Sequence, residues 1–249
     1  MSDNFRFPGM LIQKLKTAQS IAVLTGAGIS AESGVPTFRE AQTGLWAKYD
    51  PQELATPQAF QRNPKLVWEW YAWRRELVNR ATPNLGHLAL VELANLVPQL
   101  TLITQNVDGL HQQAGSKNVI CLHGNIMESK CYAHGHFVAQ LPESDAVPPK
   151  CPTCGSLLRP NVVWFGENLP AHALTTAVHA SQSCDIFFSV GTSALVHPAA
   201  SLPLYALENQ ALLVEVNPQP TPLTRWADEV LTGPSGEILP ALIKAMQAA

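Results

Sequence analysis

The sequence predicts a parallel α/β sheet with helices on both faces. Three observations carry that reading. Short apolar, β-branched runs recur at 21–24, 100–104, 119–122, 186–190 and 211–216. Helical patterns lie between several of them, at 64–80, 86–96 and 169–181. Hydrophobic residues make up 46% of the chain and charged residues only 14%, the balance expected of a sheet buried on both sides. Alternating strand and helix is the pattern of parallel pairing.

The first strand explains why the class is Rossmann-like. The run 21–24 meets Gly26-Ala27-Gly28-Ile29-Ser30-Ala31, a Gly-x-Gly-x-x-Ala turn near the N-terminus. Glycine carries no Cβ, so such a turn lets the backbone approach a pyrophosphate. The turn runs straight into Ser33-Gly34-Val35-Pro36-Thr37-Phe38-Arg39, which a plain dinucleotide turn does not need. No acidic residue closes a second strand about 20 residues after the glycines, which argues against a simple dehydrogenase.

The later strands each end on a polar or glycine residue: Gln105, His123, Gly191 and Asn217. Open α/β sheets bind ligands at that rim. Two stretches interrupt the alternation. Residues 40–85 are helical and rich in tryptophan (Trp46, Trp68, Trp70, Trp73), and residues 124–160 carry prolines and cysteines. The expected division is a large part at about 10–39, 86–123 and 161–249, with a small domain from the two inserts.

Of the five cysteines, three fall in the second insert. An odd number argues against a disulfide framework. Cys121 and Cys184 lie in or near apolar runs and read as small buried hydrophobes. Cys131 with Cys151-Pro152-Thr153-Cys154 supplies three thiols suited to tetrahedral zinc. Cys131-Tyr132-Ala133-His134 is a Cys-x-x-His half-site, so His134 is taken as fourth ligand, with His136 competing. Four protein ligands make such a zinc structural, one per chain, holding a segment with little core of its own.

The net charge of −3 gives no general attraction to nucleic acid or anionic lipid. No apolar run reaches the roughly 18 residues of a membrane span, and the first residues lack a signal-peptide stretch. The expectation is a cytoplasmic protein with no nucleic-acid or membrane partner. Nothing resembles a dedicated dimer stripe, so a monomer is favoured.

Taken together, Gly26-Ala27-Gly28-Ile29-Ser30, Ser33-Gly34-Val35-Pro36-Thr37-Phe38-Arg39, Gln105-Asn106-Val107-Asp108, His123-Gly124-Asn125, the Cys segment, 160–167, Gly191-Thr192-Ser193 and Val216-Asn217 resemble the sirtuin family over nearly the whole chain, in the family's order. The resemblance implies an NAD-dependent protein-lysine deacylase that yields nicotinamide, O-acyl-ADP-ribose and free lysine. It implies that the two inserts form a small second domain and that acyl-lysine proteins or peptides enter between the two parts. It makes His123 the general base and places Asn106 against the ribose or a bound water. Asp108 is expected to bind the nicotinamide amide, Phe38 to screen the reactive ribose carbon, and Arg39 to contact the cofactor. Gly26, Ala27, Gly28, Ser30, Trp46, Gln105, Gly191, Thr192, Ser193, Asn217, Pro218, Gln219 and Ser235 complete the expected NAD contacts. Imidazole, with an ordinary pKa of about 6.5, suits proton exchange near neutrality.

Within the helical pattern 64–80, Tyr71 and Arg74 are three apart and share a face. A phenol and a guanidinium can then converge on one carboxylate. This Tyr-x-x-Arg, with Ala55 leaving room, resembles the signature of class III sirtuins and implies preference for succinyl- or malonyl-lysine, acetyl-lysine remaining a substrate. Val163, Phe165 and Gly166 are expected to hold the peptide backbone by strand addition. The alternatives are a deacetylase, a protein mono-ADP-ribosyltransferase, or an NAD or ADP-ribose sensor without turnover; an intact His123, Asn106 and Asp108 favours the deacylase.

Overall fold

A computed structural model describes residues 5–37, 48–143 and 145–248. Phe38, Arg39 and Trp46, three of the expected cofactor contacts, lie outside the described residues.

A parallel sheet of six strands forms the centre: β1 (Ser20–Thr25), β2 (Gln99–Thr104), β3 (Ile120–Cys121), β7 (Ile186–Val190), β8 (Leu212–Asn217) and β9 (Glu229–Thr232). Their order across the sheet is β3-β2-β1-β7-β8-β9. The chain moves outward from β1 through β2 to β3, then returns to the other side of β1 at β7. The strand order therefore reverses between β1 and β7, the position beyond whose carboxyl ends open α/β sheets bind ligands.

Alternation along β1 shows why its sequence is apolar throughout. Ile21 and Val23 face one core, with Leu11 and Leu15 of α1 (Gly9–Thr17), Leu90 and Leu93 of α6 (Leu85–Leu96), and Leu239 and Leu242 of α10 (Ser235–Ala248). Ala22 and Leu24 face the other, with Ala177 of α8 (Ala171–Ser183) and Leu202 and Ala206 of α9 (Leu202–Glu208). A strand covered on both sides has no solvent face on which to place polar residues.

The inserts build a second unit of packing. A three-stranded antiparallel sheet has the order β5-β4-β6, from β4 (Gly124–Cys131), β5 (Phe137–Val138) and β6 (Leu158–Val162). Against it lie α3 (Pro51–Leu54), α4 (Pro57–Arg62) and α5 (Pro64–Arg80). Asn63 starts α5 by accepting the Leu66 N–H at 3.1 Å, and Pro64 follows at the first helical position, an arrangement favoured at helix starts. Val67, Tyr71 and Val78 repeat at helical spacing on its buried face and pack with Ile126, Val162 and Trp164. Arg75 ties the helix to a bulge in β4, donating to the carbonyls of Ile126 at 2.6 Å and Glu128 at 3.1 Å. No helix among the described residues is long and apolar enough to cross a membrane.

Candidate active site

The turn after β1 is held by backbone contact with the turn after β7. Gly26 N–H donates to the Val190 carbonyl at 3.0 Å and Gly28 N–H to the Gly191 carbonyl at 2.8 Å. A Cβ on Gly28 would stand 2.7 Å from the Gly191 oxygen, and one on Gly191 (φ +59°) only 2.5 Å from the Ile29 nitrogen. Only glycines allow the two loops to meet at the point where the strand order reverses. Thr192 follows, 7% exposed, and accepts from Gln105 Nε2 at 2.9 Å. Its carbonyl accepts from Asn217 Nδ2 at 2.9 Å. Ser193 is half-buried, Pro218 and Gln219 are exposed, and Ser235 begins α10 with its hydroxyl buried and unpartnered among the described residues.

Beneath this rim runs a buried polar network. Ser30 Oγ donates to Asp108 Oδ2 at 2.7 Å. It receives Asn106 Nδ2 at 3.1 Å, and that amide also reaches the Gly26 carbonyl at 3.0 Å. Both protons of the Asn106 amide are thus committed, and the carbonyl is the group that side chain offers outward. Asp108 Oδ1 accepts the Leu110 N–H at 2.9 Å, so the carboxylate also shapes the start of α7 (Leu110–Ala114). His87 closes the network. Its Nδ1 accepts the Asn84 N–H at 3.3 Å in a capping box, which leaves the proton on Nε2, facing Ser30 Oγ at 3.4 Å.

His123 stands at the end of β3. Its Nδ1 lies 2.8 Å from the main-chain carbonyl of Gln105. A carbonyl only accepts, so Nδ1 carries the proton and Nε2 presents a lone pair. Burial lowers its pKa from the ordinary value, while the Gln105 hydrogen bond raises it in part. The ring is therefore neutral, the form of a base. Gly124 makes this placement possible: at φ +82°, a Cβ would lie 2.1 Å from the Asn161 oxygen.

On α5, Tyr71 is 3% exposed and its oxygen accepts the Trp164 indole N–H at 3.0 Å. Burial pushes the Tyr71 phenol up to about 12, with Arg74 opposing. Arg74 is half-buried and lies over the Trp70 ring, 5.0 Å from its centroid. Burial lowers its pKa; Tyr71 and Asp108 both act on it in the other direction, so the α5 face sits within electrostatic reach of the Asp108 network. Ala55 is buried, and its carbonyl accepts the Phe165 N–H at 2.9 Å. Val163 is half-buried, with its N–H on the His123 carbonyl at 2.9 Å, and Phe165 and Gly166 are exposed.

The metal centre corrects one expected ligand. Cys131, Cys151, Cys154 and His136, not His134, converge with all ligand atoms within 4.8 Å of one another. Cys131 Sγ is 3.4 Å from Cys154 Sγ, and Cys151 Sγ is 3.9 Å from His136 Nδ1. Ligands of a tetrahedral zinc at a Zn–S distance of about 2.3 Å are separated by about 3.8 Å, so the cluster fits that ion. The His136 ring brings the Cys151 thiol down to about 6, toward the thiolate a metal requires. The cause of the exchange is the turn. Gly135 N–H closes onto the Cys131 carbonyl at 2.9 Å with Gly135 at φ +69°, which leaves His134 exposed and turns His136 back to the thiols. A second correction is smaller: Cys121 is half-buried and receives Gln112 Nε2 at 3.2 Å, while Cys184 is buried as expected.

The profile of the Sir2 family matches residues 26–198. This chain belongs to the Sir2 family. An NAD-dependent protein deacylase of Aquifex aeolicus (strain VF5) is 57% identical over 213 residues, covering 84% of this chain and 87% of that one. One from Pyrococcus furiosus is 49% identical over 244 residues, covering 95% and 97%. A solved complex of a Sir2 homologue with NAD superposes with a TM-score of 0.91 at 46% identity, covering 98% and 95%. A Sir2 variant with deacetylated p53 peptide and 3′-O-acetyl ADP-ribose gives 0.80 at 35% identity, covering 95% and 97%.

Four members of this Sir2 network escaped the motif reading. Thr25 Oγ1 bonds Thr104 Oγ1 at 2.8 Å and His111 Nε2 at 2.9 Å, and the His87 and His111 rings lie 4.8 Å apart. Thr25 and Thr104 end their strands, a position that could have marked them. His87 and His111 sit in first turns of helices, where no periodicity singles them out.

Proposed function

We propose that this chain is an NAD-dependent protein-lysine deacylase that prefers succinyl- and malonyl-lysine over acetyl-lysine. The observation that carries the preference is the α5 face: a buried phenol and a guanidinium one turn apart, with the small Ala55 in the same packed cluster as the phenol. Aliphatic walls alone do not distinguish a carboxylate, whereas an arginine fork and a phenolic O–H are its natural partners. An acetyl group offers the Arg74 fork and the Tyr71 hydroxyl no carboxylate to bind, so it gains nothing from them.

The rim between β1 and β7 fits a dinucleotide: glycine turns meet at the strand reversal, flanked by Thr192, Ser193 and Asn217. Ser30, Asn106 and Asp108 lie just beneath and suit the nicotinamide–ribose end. Bound there, NAD supplies an electrophilic ribose carbon when nicotinamide departs. Asp108, held by Ser30 and the Leu110 N–H, offers its carboxylate to the departing amide. Asn106 presents its carbonyl to a ribose hydroxyl or a water. His123 receives a ribose hydroxyl proton at Nε2 while Nδ1–H remains on the Gln105 carbonyl. Val163 and Gly166 offer backbone groups to an extended peptide.

The test is mass spectrometry of one lysine peptide in acetyl and succinyl forms, with and without NAD. Faster NAD-dependent loss of succinyl, with O-succinyl-ADP-ribose formed, is expected. Arg74→Met should lower desuccinylation far more than deacetylation, and equal losses on both would reject the pocket. Loss of acetyl alone would reduce Tyr71 and Arg74 to structural roles.

A further inference from the structure

An ion pair between β6 and the segment that follows it, buried at Arg159 and half-buried at Glu167, acts on Tyr71 through one side chain. Arg159, 4% exposed, forks onto Glu167 with Nη1 to Oε1 at 2.5 Å and Nη2 to Oε2 at 2.9 Å. Nη2 also donates to the Val162 carbonyl at 2.9 Å. The guanidinium lies over the Trp164 ring, 3.2 Å from its centroid. Glu167 Oε2 accepts the Trp164 main-chain N–H at 2.8 Å. Trp164 is therefore held by its ring face and by its backbone. Its side-chain polar group, the indole N–H, meets Tyr71 Oη at 3.0 Å.

A phenol has one proton to give and two lone pairs. The indole can only donate, so the contact occupies a lone pair and directs the Tyr71 proton away from Trp164. The burial of Tyr71 keeps that proton on the oxygen. What remains is a fixed donor, and a fixed donor discriminates in favour of an acceptor such as a carboxylate.

We propose that Trp164, braced by the Arg159–Glu167 pair, is a positioning residue that sets acyl selectivity by orienting the Tyr71 hydroxyl as a donor. This rests on the acidic-acyl reading of Tyr71 and Arg74. It adds that the selectivity is written partly in a residue with no need to touch the acyl group.

Trp164→Phe keeps an aromatic face for Arg159 and deletes the N–H. The experiment measures kcat and KM for succinyl and acetyl forms of one peptide in the parent, Trp164→Phe, Tyr71→Phe and the double variant. The expected result is a fall of about fivefold to tenfold in succinyl kcat/KM for Trp164→Phe, mostly through KM, with acetyl within about twofold. The double variant should be no worse than Tyr71→Phe alone, because both changes remove one interaction. An unchanged selectivity ratio in Trp164→Phe, with a lowered ratio in Tyr71→Phe, overturns the inference and leaves the acidic-acyl reading standing. Equal losses on both substrates also overturn it, since that is what a purely structural tryptophan would give. An unchanged ratio in Tyr71→Phe removes the acidic-acyl reading, and the inference with it.

Discussion

The Nδ1–H of His123 donates to the main-chain carbonyl of Gln105 at 2.8 Å. The two residues lie just beyond the carboxyl ends of neighbouring strands, β3 and β2, so the register of the sheet itself selects the tautomer of the base. Burial holds the imidazole pKa below its ordinary value. The base form then persists into acid. The kcat/KM profile should show an acid limb with its midpoint below about 6.5, and His123→Tyr should abolish turnover of both acyl forms. A midpoint above that value, or retained turnover in the variant, would remove His123 from the role.

The zinc cluster makes a prediction that separates two histidines with a single residue between them. His136→Ala should lose the metal, because His136 stands with Cys131, Cys151 and Cys154, whereas His134→Ala should keep about one zinc per chain. Metal content by atomic absorption decides this directly. Chelation should also lower the melting temperature, since the ion joins the turn at Cys131 to the turn at Cys151. Full zinc in His136→Ala would move the ligand elsewhere.

Gly124→Ala should be severely destabilising. The position needs φ +82°, and the added Cβ would stand 2.1 Å from the Asn161 oxygen, a backbone atom that cannot swing aside. A cost of about 2–4 kcal/mol is expected, visible as a fall of roughly 5–15 °C in melting temperature. Activity should fall further than stability alone requires, because His123 is the neighbouring residue. A neutral substitution would mean that β4 can shift relative to β6.

His111 predicts an acid-sensitive fold. It is 1% exposed, and burial with His87 nearby brings its pKa down to about 3. The unfolded chain binds this proton near pH 6.5, while the folded chain refuses it until about pH 3. The unfolded state therefore holds more protons across that window, and stability is lost as pH falls from about 6.5 toward 3, by on the order of 5 kcal/mol. Denaturant titrations of His111→Gln should show a flatter dependence over the same range. An identical slope would assign the acid sensitivity to other groups.

The parallel sheet was legible in the sequence because strands buried on both faces must be continuously apolar. The runs 186–190 and 64–80 became β7 and α5 to the residue. β9 was not read, and its alternating exposure shows why: an edge strand has a solvent face that dilutes the apolar run. β4, β5 and β6 were hidden for a related reason. Their short sheet is buried mainly against α5 and ends at the Cys131, His136, Cys151 and Cys154 cluster, so local composition gives little sign of strand.

The site was legible wherever chemistry requires a residue type at a fixed distance along the chain. Glycines at the β1 turn, the strand-end His123, the Asn106 and Asp108 pair, and the Tyr71–Arg74 spacing all belong to that class. The glycine turn and the shared helical face of Tyr71 and Arg74 were readable from spacing and pitch, whereas the roles expected of His123, Asn106 and Asp108 came from resemblance to the family. Tertiary structure decided the rest. A positive φ at Gly135 selected His136 over His134, a turn geometry that the spacing of Cys-x-x-His could not reveal. Trp164 on Tyr71, His87 on Ser30 and His111 on Thr25 are contacts between elements far apart in the chain. Only packing brings those elements within hydrogen-bonding distance, and burial then sets the protonation states on which the chemistry depends.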